Sequence, residues 1–247
     1  MQQINNELQQ WIKNYVQNAH SKGVVIGMSG GKDSLVVAKL CCNAIGKQNV
    51  FGVIMPNGEM SDKSDAVKTC ELLGIKYAIV NINDAYNAII NPVNDILKQN
   101  NIQLNDISTI NTPPRIRMTT LYAFAGSLNY LVANTSNLSE ISVGYSTKWG
   151  DGIGDFAPIA NFIKTEVCEI GKLLGLPTKL VDKTPSDGLS GKSDEYKLGL
   201  SYSNLDEYIR TGKQNKDYER IIHLNKITSH KRRLPARFEN GFKNYLE

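Results

Sequence analysis

The sequence predicts an α/β fold in which helices flank a parallel sheet. Short apolar runs at 24–28, 50–55 and 77–80 have the length and composition of buried strands, and segments with helical spacing lie between them. Strands that alternate with helices pair in parallel through right-handed crossovers. A chain of 247 residues with 41% hydrophobic content can bury one large core, so we expect a single domain over residues 1–247.

The first part of the chain sets up this alternation. Apolar residues recur at helical spacing from Ile4 to Val16 and predict an amphipathic first helix. The run 24–28 is the first strand, and residues 34–44 continue as a helix. The second strand, 50–55, ends at the turn signal Pro56-Asn57-Gly58.

The middle of the chain continues the pattern and predicts a Rossmann-like sheet. Its predicted elements are, in order, a helix over 61–73, a strand over 77–80, a helix over 84–99, a helix over 115–130 that begins after Pro113 and Pro114, and a strand over 131–134. Further along, the span 183–195 is rich in Lys, Ser, Gly and Asp and has almost no apolar residues. This composition predicts a mobile surface loop.

Composition and charge exclude several classes of protein. A net charge of +4 suits a pocket for anionic nucleotides but gives little support to nucleic-acid binding. The four cysteines show no Cys-x-x-Cys spacing, which is typical of reduced core residues. No stretch approaches the roughly 18 apolar residues that a membrane span needs, and the N-terminus lacks a signal core. We therefore expect a cytoplasmic protein that binds neither nucleic acid nor membrane.

The most informative local feature is the segment 27–34, which reads Gly-Met-Ser-Gly-Gly-Lys-Asp-Ser. A strand that breaks into glycines before a helix directs backbone N–H groups at one point, and the helix dipole adds positive potential there. A Walker A loop would need Ser or Thr in place of Asp33. Because a carboxylate beside a phosphate calls for a cation between them, the segment predicts a phosphate site with a metal such as Mg²⁺.

With this loop the chain resembles the PP-loop ATP pyrophosphatases, whose Ser-Gly-Gly-x-Asp-Ser signature binds the pyrophosphate of ATP during adenylyl transfer. The loop alone leaves the acceptor open. Further motifs follow at 115–122, 134–140, 144–155, 158, 164–167, 185–186, 194–195 and 230–232. In their order and spacing they closely resemble the ammonia-dependent NAD synthetases over nearly the whole chain.

The resemblance implies an adenine nucleotide alpha hydrolase-like fold and a homodimer. It implies a ligase that converts deamido-NAD, ATP and ammonia to NAD, AMP and pyrophosphate through an acyl adenylate, with Mg²⁺ as the cofactor. Free ammonia is the expected nitrogen donor, because the chain length leaves no space for a glutaminase domain beside the core that begins near residue 24.

Site residues are carried over from the matching motifs. The implied metal ligands are Asp33 and Glu140, the latter expected at the end of the fourth strand. The implied ATP-binding residues are Gly27, Met28, Ser29, Gly30, Gly31, Lys32, Asp33, Ser34, Thr135, Lys164 and Ser186. The implied deamido-NAD contacts are Arg115, Lys148, Asp155, His230 and Lys231, and in the family the tail that holds the last two reaches the partner subunit's site.

Two residues are implied to take part in the chemistry. Lys164 would offset charge on the departing pyrophosphate. Asp151 matches an acid near the ammonia site, where a carboxylate could attract ammonium and help to remove its proton.

The chain departs from the family pattern at three positions. Lys32 stands where many members have an uncharged residue, and Ser186 replaces the usual threonine. Met55 ends a strand that in many relatives carries an arginine for ATP, so one cation is missing and Lys32 could compensate. Two other functions stay open at this point: another PP-loop amidating enzyme such as a GMP synthetase, and a non-catalytic ATP-binding regulator.

Overall fold

The computed structural model describes residues 1–58, 63–182 and 194–238. At its centre four parallel strands lie side by side in the order β3-β2-β1-β4, so the predicted α/β fold is confirmed. The strands are β1 (Gly23–Gly27), β2 (Val50–Ile54), β3 (Lys76–Ile79) and β4 (Tyr130–Ala133).

Helices cover both faces of this sheet. In the described ranges they are α1 (Gln2–Asn18), α2 (Lys32–Ile45), α3 (Lys63–Leu73), α4 (Asn83–Gln99), α5 (Asp106–Leu128), α6 (Leu138–Val143), α7 (Lys164–Leu173), α8 (Thr178–Val181), α9 (Asp194–Leu198), α10 (Tyr202–Thr211) and α11 (Tyr218–Ile227). None of the described helices combines the length and the apolar character that crossing a bilayer requires.

β1 is buried on both faces because it lies in the middle of the sheet. Val24 and Ile26 pack into the cluster formed with α1, α2 and α7, whereas Val25 packs against α5 from the opposite face. Side chains of a strand alternate between its two faces, so a doubly covered strand is apolar throughout. This arrangement explains the continuous apolar run and places the end of β1 at the centre of the sheet's carboxyl edge.

The helix predicted over 115–130 has other bounds in the structure. α5 begins at Asp106, where Asn105 Oδ1 accepts a hydrogen bond from Ile107 N at 2.8 Å, and it continues through Pro113 and Pro114. Each proline removes one backbone donor but leaves the rest of the helix paired, so the prolines do not end it. α5 ends before Asn129, which has a left-handed φ of +54°.

The last part of the chain packs on α6 as a separate apolar cluster. Val143 of α6 contacts buried residues of α10 and α11, among them Leu205 and Ile221. Of the loop predicted over 183–195, residues 183–193 lie outside the described residues, and that prediction is wrong for the last two positions. Asp194 and Glu195 begin α9, and Tyr145 Oη donates to Asp194 Oδ1 at 3.0 Å.

Candidate active site

The glycine-rich segment 27–34 turns sharply between the end of β1 and the start of α2. Gly30 has a φ of +79°, in the left-handed region that favours glycine. Ser29 Oγ accepts a hydrogen bond from Gly31 N at 3.2 Å and shares another with Ser34 Oγ at 3.1 Å. The first N–H groups of α2 have no acceptor within the helix. The turn therefore presents backbone donors of the kind that bind phosphate.

Asp33, Glu140 and Lys164 meet beside this turn. Lys164 Nζ lies 2.9 Å from Asp33 Oδ2 and 2.7 Å from Glu140 Oε1. The three side chains come from the first turns of α2, α6 and α7, which the fold gathers at the carboxyl edge of the sheet. Lys164 is only 5% exposed, so its ammonium is held by carboxylates rather than by water.

The motif predicted Glu140 at the end of β4, and this prediction is wrong. Glu140 occupies the third position of α6, and Asn137 caps that helix with an Oδ1 that accepts from Glu140 N at 3.0 Å. Glu140 Oε2 accepts in return from Asn137 N at 3.3 Å. This capping box starts a helix shortly after β4. Asn137 Nδ2 also donates to Asp33 Oδ1 at 3.1 Å, so this one buried residue holds both carboxylates, Asp33 through its side-chain amide and Glu140 through its backbone N–H.

A second buried network fixes the start of α7. Ser139 Oγ accepts from Lys164 N at 2.9 Å and donates to Asp206 Oδ1 at 2.5 Å. The other Asp206 oxygen accepts from Thr165 N at 2.9 Å. Asp206 lies on α10 and is 3% exposed. Ser139 lies within the motif at 134–140 but had no predicted role, and no sequence signal pointed to Asp206, because their roles exist only once α10 packs on α6 and α7.

The electrostatics of the cluster favour a cation between the carboxylates. Burial and the charge of Asp33 raise the pKa of Glu140 to about 7, although Lys164 lowers it. Burial opposes the charge of Lys164, but Glu140 and Asp33 raise its pKa well above its usual value. The ammonium is therefore fully protonated at neutral pH.

The same two carboxylates fit Mg²⁺. Asp33 and Glu140 direct oxygens at one cationic atom, and Mg²⁺ is commonly bound by one or two carboxylates together with substrate phosphates. Within the described ranges, no group of three or more His, Cys, Asp or Glu side chains forms a metal cage. A metal here would therefore depend on oxygens that the nucleotide supplies.

Two cations near the loop make contacts that the sequence did not predict. Lys32 is buried, and its Nζ contacts Cys168 Sγ on α7 at 3.6 Å, so in this conformation it packs between helices. Arg117 of α5 instead donates from Nε to Met55 O at 2.9 Å. A cation therefore lies at the end of β2, where the sequence lacks one, and it comes from another element. The sequence feature that could have pointed to Arg117 is the repeat of arginine at positions 115 and 117.

Asp151 lies in a tight turn next to the end of β4. Thr147 N donates to Asp151 Oδ1 at 2.6 Å, and Asn134 Nδ2 donates to the Asp151 carbonyl at 2.9 Å. The residue keeps contact with solvent. Crowding by protein atoms still raises the pKa of its carboxyl group, against the lowering effects of the Thr147 hydrogen bond and of the Lys231 charge. A raised pKa makes the carboxylate a better proton acceptor.

A cavity of about 300 Å³ adjoins Asp151. Its lining includes Ser136, Gly152, Phe156, Lys231 and Arg232. Lys231 Nζ donates to Gly144 O at 2.8 Å and to Ser146 O at 2.7 Å, so the basic tail folds over the cavity of its own chain.

The predicted dinucleotide contacts divide into two groups. Arg115 Nε donates to Lys148 O at 3.3 Å, and Lys148 Nζ donates to His230 O at 2.7 Å. These residues and Lys231 therefore lie together beside the cavity. Asp155 faces the sheet instead, where its Oδ2 accepts from Val132 N at 2.7 Å.

Three further observations complete the placement of the predicted residues. Asp155 Oδ1 accepts from Tyr122 Oη at 3.2 Å, so both of its oxygens are bonded within the chain. Thr135 lies two residues after β4, and β4 pairs with β1, so both Thr135 and the glycine-rich turn follow adjacent strands at the carboxyl edge of the sheet. Ser186 lies outside the described residues. Tyr15, which the sequence did not single out, donates to Asp155 O at 2.6 Å and stacks on Phe156 of the cavity wall.

Comparison with known proteins gives one consistent family. The family model for NAD synthase matches residues 4–235. An NH(3)-dependent NAD(+) synthetase of Thermococcus sibiricus is 42% identical over 93% of this chain and 94% of its own length. The structure of an NMN synthetase from Francisella tularensis superposes with a TM-score of 0.87 at 34% identity, covering 97% of this chain and 98% of that one.

A second solved structure, the NH3-dependent NAD synthetase of Campylobacter jejuni, has a TM-score of 0.76 at 30% identity and covers 96% and 98% of the two chains. The glycine-rich turn, the partly buried Asp33 and Glu140 pair and the cavity beside Asp151 all lie within the matched residues. The chain belongs to the NAD synthase family.

Proposed function

We propose that this chain is an ATP-dependent ligase that amidates deamido-NAD with ammonia. The observation that carries the proposal is the convergence of Asp33, Glu140 and Lys164 beside a phosphate-binding turn, with a separate cavity at Asp151. In the first step the nicotinate carboxylate attacks the α-phosphorus of ATP and pyrophosphate leaves. In the second step ammonia attacks the acyl carbon and AMP leaves.

The first step requires cations because both reactants are anionic. Backbone N–H groups of the turn 27–34 would hold the β- and γ-phosphates. A bound Mg²⁺ would supply charge neutralisation at the triphosphate, and Asp33 and Glu140 are the residues to hold it. Lys164 would interact with the leaving pyrophosphate. Asn137 donates to both carboxylates, from its side-chain amide to Asp33 and from its backbone N–H to Glu140.

The second step requires a proton acceptor near the acyl carbon. Asp151 has a raised pKa and lies next to the cavity, so it can attract ammonium and take its proton. Lys148, Arg115 and Lys231 would bind the anionic groups of the dinucleotide. For Asp155 we propose a positioning role, since its carboxylate bonds link β4 to the cavity wall.

We propose a homodimer built on the outer surface of α4 and α5. Ile89, Val93 and Ile96 lie on one face of α4 and are each more than 40% exposed. Ile107 and Ile110 of α5 are 65% and 67% exposed and continue the surface. Apolar surface of this kind is typical of protein interfaces. We also propose that residues 1–247 work as one domain, and that the protein is cytoplasmic, because its four cysteines are free.

The decisive experiment incubates the purified chain with ATP, Mg²⁺, ammonium and deamido-NAD and follows NAD and pyrophosphate. Nicotinate mononucleotide is a parallel acceptor, because the similar Francisella protein is named for NMN. Xanthosine monophosphate tests the GMP synthetase alternative. Stoichiometric NAD and pyrophosphate support the proposal. ATP binding without pyrophosphate release would favour a regulator, and release only with another acceptor would reassign the substrate.

A further inference from the structure

Lys164 Nζ lies between Asp33 and Glu140, the two residues proposed above to hold a metal ion. Its distances to the two carboxylates are 2.9 and 2.7 Å. The ring of Tyr202 closes a third side, with its centroid 4.9 Å from the ammonium. Lys164 and Tyr202 are 5% and 6% exposed, so the ammonium is enclosed by two charges and an aromatic face.

An ammonium and a divalent cation cannot share this position, because their like charges repel strongly at such distances. The lysine must leave the carboxylates before a metal can bind both. Removing a buried charge from its partners is costly unless another counter-charge receives it. A free metal ion offers no such group, whereas a triphosphate supplies several anionic oxygens.

We propose that Lys164 is a resident cation that prevents free divalent ions from binding to Asp33 and Glu140. It leaves the two carboxylates only when a metal ion binds together with a triphosphate. Lys164 thereby selects the metal–nucleotide complex over the free metal. This inference rests on the proposed function, since it takes the carboxylate pair as the metal site and the turn at 27–34 as the phosphate site.

The wild-type chain provides the first test through Mn²⁺ binding measured by electron paramagnetic resonance. Without nucleotide we expect no Mn²⁺ site that depends on Asp33. With the unreactive analogue α,β-methylene ATP, one Mn²⁺ site should appear on the protein, and its affinity for Mn²⁺ should be at least about tenfold higher than that of the analogue in the absence of protein. The D33N variant should lack this site. Equal Mn²⁺ affinity with and without the analogue at a site lost in D33N would overturn the inference.

The variant K164M provides the second test by thermal unfolding without nucleotide. It leaves two partly buried carboxylates without their cation, so the melting temperature should fall and then recover by several degrees when Mg²⁺ is added. K172M is the matched control, because Lys172 lies on the same helix and pairs with Asp182 at the surface at 3.0 Å. Mg²⁺ should leave the melting temperatures of K172M and of the wild type nearly unchanged.

These outcomes separate the inference from the proposed function. A wild type that forms NAD while K164M gains no stability from Mg²⁺ would refute the resident-cation role alone. Failure of the wild type to bind the metal–analogue complex would refute the proposed nucleotide site. If K164M does not fold, the Mn²⁺ titration of the wild type decides.

Discussion

Removal of the Asp206 carboxylate should both destabilise the chain and disturb Lys164. Asp206 is 3% exposed and accepts hydrogen bonds from Ser139 Oγ and Thr165 N. In D206A the buried Ser139 hydroxyl and the partly buried Thr165 N–H would lose their acceptor, at about 1–3 kcal/mol each. The free energy of unfolding should therefore fall by about 3 kcal/mol. For a chain of this size that corresponds to a fall in melting temperature of roughly 10 °C.

The functional effect follows from the next bond in the network. Ser139 Oγ, which Asp206 orients, accepts from Lys164 N and so fixes the start of α7. We expect pyrophosphate release per folded molecule to fall at least about tenfold in D206A, since misplacement of a catalytic group is costly. D206N should be intermediate in stability, because its amide oxygen can still accept from Thr165 N.

E207Q is the matched control for these variants. Glu207 is the next residue on α10, but its carboxylate pairs with Lys213 at the surface at 2.9 Å. Surface pairs contribute little, so E207Q should melt close to the wild type. Chemical unfolding gives the stabilities, and a coupled pyrophosphate assay below the melting range gives the activities. If D206A has the same melting temperature as E207Q, or keeps full activity per folded molecule, the proposed link from Asp206 to Lys164 is wrong.

Three further predictions concern the site directly. D33N and E140Q should each lower pyrophosphate release at least about a hundredfold while the circular dichroism spectrum stays native, because each removes a metal ligand; near-normal release would remove the metal role. D151N should still release pyrophosphate in the first turnover but form little NAD, with partial recovery at higher pH where ammonia is already deprotonated. Equal loss of both products in rapid-quench samples would reassign Asp151. Y202F should be as stable as the wild type or up to about 1 kcal/mol more stable, since the buried Tyr202 hydroxyl has no hydrogen-bond partner among the described residues. Marked destabilisation of Y202F in urea would show that the hydroxyl has a partner.

The sequence predicted the strands and helices in their order along the chain, because burial leaves a recognisable pattern of apolar residues in each kind of element. Continuous apolar runs mark strands covered on both faces, and helical spacing marks α1, whose Leu8, Ile12 and Val16 are buried. The extent of α5 escaped this reasoning. Pro113 and Pro114 indicate a helix start locally, but the cap at Asn105 and the packing of the helix allow both prolines inside it.

The sequence by itself also predicted which residues form the site. The loop 27–34 and the motifs after it resemble those of the family in order and spacing, and this resemblance implies which residues would meet phosphate, metal and acceptor. Asp33, Glu140, Lys164 and Asp151 were all named in this way.

Only the tertiary structure decided how these groups face one another. Lys164 lies between the two proposed metal ligands, Lys32 packs against Cys168, and Arg117 reaches the end of β2. Asp206 joins the site from α10, far away in sequence. These contacts depend on how α2, α6, α7 and α10 pack, and packing follows from the summed burial of whole helix faces rather than from any local motif.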